Sequence, residues 1–341
     1  MKGSKLLAFS CLLFTEFFLQ SPVALSQSSP MPGLIEAAKK ESGIVWYNVI
    51  SLEHSKVMME RFQKKYPFIK LELVRSGTGP LLNRILNETR AGRHSWDVVT
   101  GSAEMYLPLV ERKLIAPYSS PETKMYDNDM KDKEGYWTTL YANPIVLGFN
   151  TRLVRKEEAP RTYEDLLDPK WRGGKISIDT EGFALLSGLI EAWGMEKAVA
   201  YFRKLAAKDP VLKRGNTERV QLATAGEYPL VIAFAAQVEG MVQKKAPMDW
   251  VPLEPVVVRL NPIMMAANAP HPNSAKLFID FALSKEGQEI IRDSFRIPVR
   301  NDVDPNPSRL LRGYKRVIET PESYVSFPET VKLYQEIFKL R

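Results

Sequence analysis

The sequence predicts an α/β protein of two doubly wound lobes joined by a two-strand hinge. Three observations carry this. Short β-rich runs alternate with amphipathic helical stretches, the pattern of a parallel sheet covered on both faces. At 341 residues the chain exceeds what a single hydrophobic core usually supports. The pattern also leaves its first unit and later returns to it. Strands are expected at Ile44–Tyr47, Ile69–Val74 and Asp97–Thr100, each followed by a helix: Leu52–Lys65, Pro80–Arg90 and Ala103–Arg112. Ile145–Phe149 opens a second unit, with a strand at Lys175–Ile178, helices over Phe183–Trp193 and Glu196–Ala207, and a strand at Tyr228–Phe234. Val256–Val258 brings the chain back. The crossings near Leu140–Pro144 and Pro252–Leu260 are the expected hinge. From Pro305 onward the pattern is helical, with Pro328 suited to the first turn of a last helix. There is no internal repeat and no low-complexity tract.

The first residues read as an export signal. Lys2 and Lys5 precede an apolar run from Leu6 to Leu19, interrupted by Thr15 and Glu16, and Ala24-Leu25-Ser26 suits cleavage. The run is too short to span a bilayer comfortably. Cys11, the only cysteine, lacks the residues of a lipoprotein box before it. The expected organisation is therefore a signal peptide at 1–26, lobe 1 from 27–142 and 257–304, and lobe 2 from 143–256 and 305–341. A mature chain without cysteine has no thiol chemistry and no disulfide. The net charge is +7, or +6 without Lys2, Lys5 and Glu16. It is spread over many helix faces, without the basic stripe and aromatics of a nucleic-acid interface. A mild positive field favours an acidic solute, although a merely solvated basic surface has the same composition.

Catalytic motifs are lacking. His54, His94 and His271 have no metal-binding spacing, and there is neither a Gly-x-Ser-x-Gly elbow nor a Walker-type phosphate loop. Glu157-Glu158 reads as a solvated charged loop. The expectation is a binding protein rather than an enzyme, with no cofactor and no protein-ligated metal.

The most specific stretch is Asn268-Ala-Pro-His-Pro-Asn-Ser-Ala-Lys-Leu-Phe-Ile-Asp-Phe-Ala-Leu-Ser-Lys-Glu-Gly-Gln288. Pro270 and Pro272 stop a strand and restart the chain as a helix that Asn273 or Ser274 can cap. Leu277, Phe278, Phe281 and Ala282 form its apolar stripe, and Ser284 caps the next helix. The segment resembles that of bacterial family 1 extracellular solute-binding proteins of ABC transporters, above all their ferric-ion-binding branch. The resemblance runs from Leu34 to about Val303. It implies the type II periplasmic binding protein fold, a periplasmic location, a small-molecule ligand held between the lobes, ABC permease subunits as partners and a working monomer.

Ligand candidates lie at strand ends facing such a cleft. Ser76-Gly77-Thr78 opens a helix with bare amides and two hydroxyls, which suits an anion or equally a self-capped turn. Thr180-Glu181-Gly182 takes the place where ferric-binding relatives have a Thr-Ser-Gly anion site. Glu181 there can cap its own helix, pair with an ammonium group or oppose an anion. Asn216 falls where those relatives use an asparagine to hold an anion, with Arg214 beside it as a bidentate clamp or a surface arginine. The departure is in Gly226–Gln237. The relatives' adjacent iron-ligating tyrosines align with Ala236 and Gln237, their histidine ligand with Ser51 and their glutamate ligand with Ser102. Hard Fe³⁺ favours anionic oxygen donors, which these residues do not supply. With Tyr47 and Phe234 added, the expected lining suits a small organic anion or zwitterion, carboxylate or phosphonate-like. A ferric chelate is the alternative, and an exported enzyme or a sensor's binding protein on the same scaffold are readings of other kinds.

Overall fold

The computed structural model describes residues 32–50, 52–320 and 327–340. The export signal and Ser51 therefore lie outside the described residues. Among the described residues no helix is long and apolar enough to cross a membrane.

The first half of the chain contributes α1 (Pro32–Glu41), β1 (Gly43–Asn48), α2 (Leu52–Lys65), β2 (Lys70–Arg75), α3 (Thr78–Arg90), β3 (Val98–Thr100), α4 (Tyr106–Val110), β4 (Ile115–Ala116) and β5 (Thr138–Asn150). Next come β6 (Ile176–Asp179), α5 (Phe183–Trp193), α6 (Met195–Ala206), β7 (Val211–Lys213), α7 (Asn216–Ala225), β8 (Leu230–Phe234), α8 (Ala235–Gln243) and β9 (Met248–Val251). The chain ends with β10 (Val256–Ala266), α9 (Pro272–Leu283), α10 (Lys285–Asp293), β11 (Arg316–Glu319) and α11 (Phe327–Phe338).

The strands follow the path β2-β1-β3-β10-β5-β8-β6-β7. β1 lies parallel to β2 and β3, and β10 runs antiparallel to β3, closing the first sheet. In the second sheet β6 is parallel to β7 and β8. Two long strands serve both. β5 pairs with β10 up to Pro144↔Val258 and with β8 from Ile145↔Phe234 onward. Each of these strands carries an Asn-Pro pair at the crossing. Pro144 sits where β5 changes partner, and the β10 register shifts between Asn261 and Pro262. Proline donates no ladder hydrogen bond, so it is tolerated where a strand bends or a ladder breaks. These two strands are longer than the sequence reading gave. All thirteen β5 positions are buried, so no alternation marks where the strand starts.

One hydrophobic cluster gathers Trp46, Phe62, Leu260 and Phe278, and a second gathers Phe149, Leu189, Phe202 and Tyr334. α9 covers the first sheet. Phe278 packs against Trp46 at 5.0 Å and edge-on to Phe62 at 5.1 Å between centroids. Its N-terminus departs from expectation. Neither Asn273 nor Ser274 caps it by its side chain. Instead the Glu41 carboxylate, from the end of α1, accepts from the Asn273 and Ser274 amides at 3.0 and 2.7 Å. A remote carboxylate satisfies the orphan amides and the helix dipole together. Ser284 does cap α10, accepting from the Gly287 amide at 3.2 Å. Gln288 donates to the Leu140 carbonyl at 2.9 Å and accepts from the Val299 amide at 3.1 Å, tying α10 to the crossing strand β5. The tail after Pro305 is not wholly helical, because β11 pairs in parallel with β10 before α11 packs on α5 and α6.

On α9, Asp280 is buried and accepts from the Tyr118 hydroxyl at 2.9 Å on each oxygen. Burial pushes its carboxyl up to about 6; hydrogen bonds from Ser120 and Tyr118 offset part of this, and Glu122 adds to it. The folded state then holds a proton that the unfolded chain, with an ordinary carboxylate pKa near ~3.9, has lost. Stability should therefore fall as pH rises from ~4 to ~6, by on the order of 2 kcal/mol from this residue. Thermal melts of the wild type and Asp280→Asn across that range check it. The melting temperature of the variant should decline less over the window, and parallel profiles would contradict the assignment.

Candidate ligand-binding cleft

Between the two sheets lies a cleft of about 460 Å³ whose floor is the pair of crossing strands. Tyr141 and Asn143 face it from β5, and Arg259 and Asn261 from β10. The register sets Asn143 opposite Arg259 and Tyr141 opposite Asn261, so period-two alternation turns all four to one side. Arg296, just beyond α10, reaches the same floor, its guanidinium carbon 5.2 Å from the Tyr141 ring centroid. Arg259 is ion-paired with Glu104.

The walls are helix starts. α3 enters through Gly77 and Thr78, α7 through Gly215, Asn216 and Thr217, and α8 through Phe234 and Gln237. None of the three has a side-chain cap on its first turn. Gly215 adopts φ 94°, the left-handed region open to glycine, to swing the chain into α7. Uncapped first-turn amides carry partial positive charge, and three such ends face this one space, with Glu218 in the first turn of α7 beside them. The Thr78 and Ser102 hydroxyls lie 3.0 Å apart on the first-lobe wall. Buried polar atoms on this surface remain without a protein partner: Asn143 Oδ1, Asn261 Nδ2, Gln237 Oε1 and Arg296 Nε. Leaving such groups unmet costs roughly 1–3 kcal/mol each, which a polar ligand would recover.

A side pocket of about 180 Å³ opens beside it in the second lobe, sharing Gly215, Asn216, Phe234 and Arg259. Its base is a closed charge network. Arg219 is 1% exposed and donates to Asp179 at 3.0 Å, to the Asn216 side-chain oxygen at 3.1 Å and to the Ile232 carbonyl at 2.7 Å. Asn216 also accepts from the Phe234 amide at 3.2 Å and donates to Asp179 at 3.3 Å. Its side chain thus fixes α7 against β8, and what it offers a ligand is chiefly the helix start it holds in place. At the rim, Arg214 pairs with Glu181 at 3.1 Å, both largely exposed. Gly182 is required here, since a Cβ would meet the Tyr334 hydroxyl at 2.5 Å.

The sequence-derived candidates divide accordingly. Gly77, Thr78, Ser102, Asn216, Phe234 and Gln237 line the cleft. Glu181, Gly182 and Arg214 line the side pocket, where Glu181 neutralises Arg214 rather than leaving it as a free clamp. Ser76 and Thr180 border neither space. Tyr47 requires correction. It is fully buried, stacked 6.2 Å from Trp96, with its hydroxyl donating to Glu88 at 2.9 and 3.1 Å. Burial, and then the Glu88 hydrogen bond and charge, push that phenol up to about 12. The side chain points beneath α3, and Val49 beyond the strand faces the cleft instead. Residues the sequence reading missed are Val49, Tyr141, Asn143, Gly215, Thr217, Glu218, Arg259, Asn261 and Arg296. The Asn-Pro pairs of the crossing strands were an available signal for Asn143 and Asn261.

Among the described residues, no three His, Cys, Asp or Glu side chains are placed to hold a metal ion. Tyr141 is the one tyrosine among the described residues lining the larger cleft, and Ala236 and Gln237 lie in the first turn of α8.

Two α/β lobes on paired crossing strands, with a polar cleft between them, define a protein that encloses a solute. The sequence profile described as bacterial extracellular solute-binding protein matches residues 95–313, and the chain belongs to that family. It is 26% identical over 300 residues to the Fe(3+)-binding periplasmic protein of Serratia marcescens, covering 84% of this chain and 88% of that one. It is 24% identical over 251 residues to a Salmonella typhi protein provisionally named as 2-aminoethylphosphonate-binding and periplasmic, covering 70% and 72%. Among solved structures it is similar to the periplasmic binding protein AfuA from Actinobacillus pleuropneumoniae, determined with exogenous fructose-6-phosphate bound. The TM-score is 0.73 at 23% identity, covering 88% of this chain and 99% of that one. The fold is the type II periplasmic binding protein fold.

Proposed function

We propose that this protein captures a small organic anion, phosphonate- or carboxylate-like and in some cases zwitterionic, and delivers it as a monomer from the periplasm to an ABC importer. One observation carries the reading: three uncapped helix starts, from both lobes, surround a floor that presents Arg296 without a carboxylate partner among the described residues. Closure of the lobes brings both walls onto the anion and links binding to the shape a permease senses. The relatives named for 2-aminoethylphosphonate and crystallised with fructose-6-phosphate agree with an oxyanion ligand.

A thermal-shift and calorimetric panel of carboxylates, phosphonates, sugar phosphates, ferric chelates and free Fe³⁺ tests it. An organic anion at 100 times its Kd should stabilise the folded state by about 2.7 kcal/mol and raise the melting temperature by several degrees. Response to free Fe³⁺ alone, with a charge-transfer colour, would refute it. The similarity to the Serratia marcescens protein supports a second reading, in which iron arrives already chelated. Neutral and cationic cleft groups would then hold the chelator's oxygens, and ferric citrate would be the strongest responder.

A further inference from the structure

Resting on the anion reading, we propose that the ligand is bipartite: its anionic head occupies the main cleft, and a compact apolar group about the size of a six-membered ring fills the side pocket of lobe 2. The two spaces share Gly215, Asn216, Phe234 and Arg259, so one molecule can span them. The charged groups at the base of the side pocket already serve one another. Asp179 is bound by Arg219 and Asn216, its carbonyl by the Tyr334 hydroxyl at 2.5 Å, and Glu181 by Arg214. A second anionic or cationic group of the ligand would have to break one of these pairs. What the pocket offers without cost is apolar surface from Ile145, Ile178, Leu185, Ile232 and Phe234.

Size decides between a single methyl group and a ring. A cavity of ~150 Å³ lined by Leu, Ile and Phe takes up benzene, and a methyl group would leave most of such a space unfilled. The pocket here is about 180 Å³. The Arg214 and Glu181 charges at the rim satisfy each other, so the pair presents no unpaired charge to an apolar tail.

The test compares inorganic phosphate, methylphosphonate and phenylphosphonate by titration calorimetry, with acetate and benzoate as a parallel carboxylate pair. The phenyl member of a pair should bind at least about tenfold tighter than the methyl member, from the added buried carbon. Ala184 lines the side pocket alone, so Ala184→Leu should erase that preference while leaving methylphosphonate or acetate affinity unchanged. Equal affinity of the methyl and phenyl members in the wild type would overturn the bipartite ligand and leave the anion reading intact. Failure of all five probes would overturn both. The wild-type series decides even if Ala184→Leu folds poorly.

Discussion

Arg296→Ala is expected to weaken binding of the organic anion by about 100-fold, the loss of a charge-assisted hydrogen bond to a desolvated guanidinium. The apo protein should melt within a degree or two of the wild type. Arg296 makes no ion pair among the described residues, and its visible contact is with the Tyr141 ring, worth on the order of 1 kcal/mol. Affinity and stability should therefore separate. Arg296→Lys should restore only part of the binding, because a point charge cannot reproduce the planar fork. Calorimetry on the three proteins, with melts of each without ligand, checks both halves. Unchanged affinity in Arg296→Ala would remove Arg296 from the site. A large loss of apo stability would make it a structural residue.

Arg219→Ala should behave in the opposite way, costing about 3–5 kcal/mol of folding stability. The reason is its position. Arg219 is essentially inaccessible, and it joins the Asp179 carboxylate, the Asn216 amide and the Ile232 carbonyl into one assembly that fixes α7 against the second sheet. Truncation leaves the Asp179 charge without its cation and removes the guanidinium donors to the Asn216 side-chain oxygen and the Ile232 carbonyl. Arg219→Met fills the volume but still leaves Asp179 unpaired, so it should recover packing only. The double variant Arg219→Met with Asp179→Leu should recover more than either change alone, since an apolar pair of similar size replaces a buried ion pair at little cost. Urea unfolding of the wild type, Arg219→Ala, Arg219→Met, Asp179→Leu and the double variant measures this. A loss below about 1 kcal/mol in Arg219→Ala would show that the network contributes little.

Much of this molecule was legible in its sequence, for identifiable reasons. Alternating strands and helices gave the doubly wound lobes, and the segment from Asn268 to Gln288 carried the family resemblance. In the structure that segment is a fastening: Phe278 packs on Trp46, and Gln288 holds the crossing strand through Leu140. The glycine-marked helix start at Gly77 was also readable, because a ligand-facing turn needs bare backbone there. Other features had no local signal. Tyr47 lies in the half of β1 where Trp46, Tyr47 and Asn48 are all buried, so alternation cannot tell which side meets the cleft. Arg214 and Glu181 are 33 residues apart, and their mutual neutralisation is visible only in three dimensions. Arg296 follows a helix end with no motif around it. It reaches the floor because Phe295 takes φ 55° and turns the chain there. The ferric-binding comparison was informative mainly through what is replaced. The resemblance implies that Ala236 and Gln237, in the first turn of α8, stand where ferric-binding relatives have tyrosines, and a methyl and an amide supply no phenolate.

The proposed function requires an oxyanion clamped by backbone amides and arginine. A crystal structure with the tightest-binding anion of the panel tests that most directly. The anion's oxygens are expected within hydrogen-bond distance of first-turn amides of α3 and α7 and of the Arg296 guanidinium. A metal ion coordinated by protein side chains in that space, or an anion bound away from those groups, would contradict it.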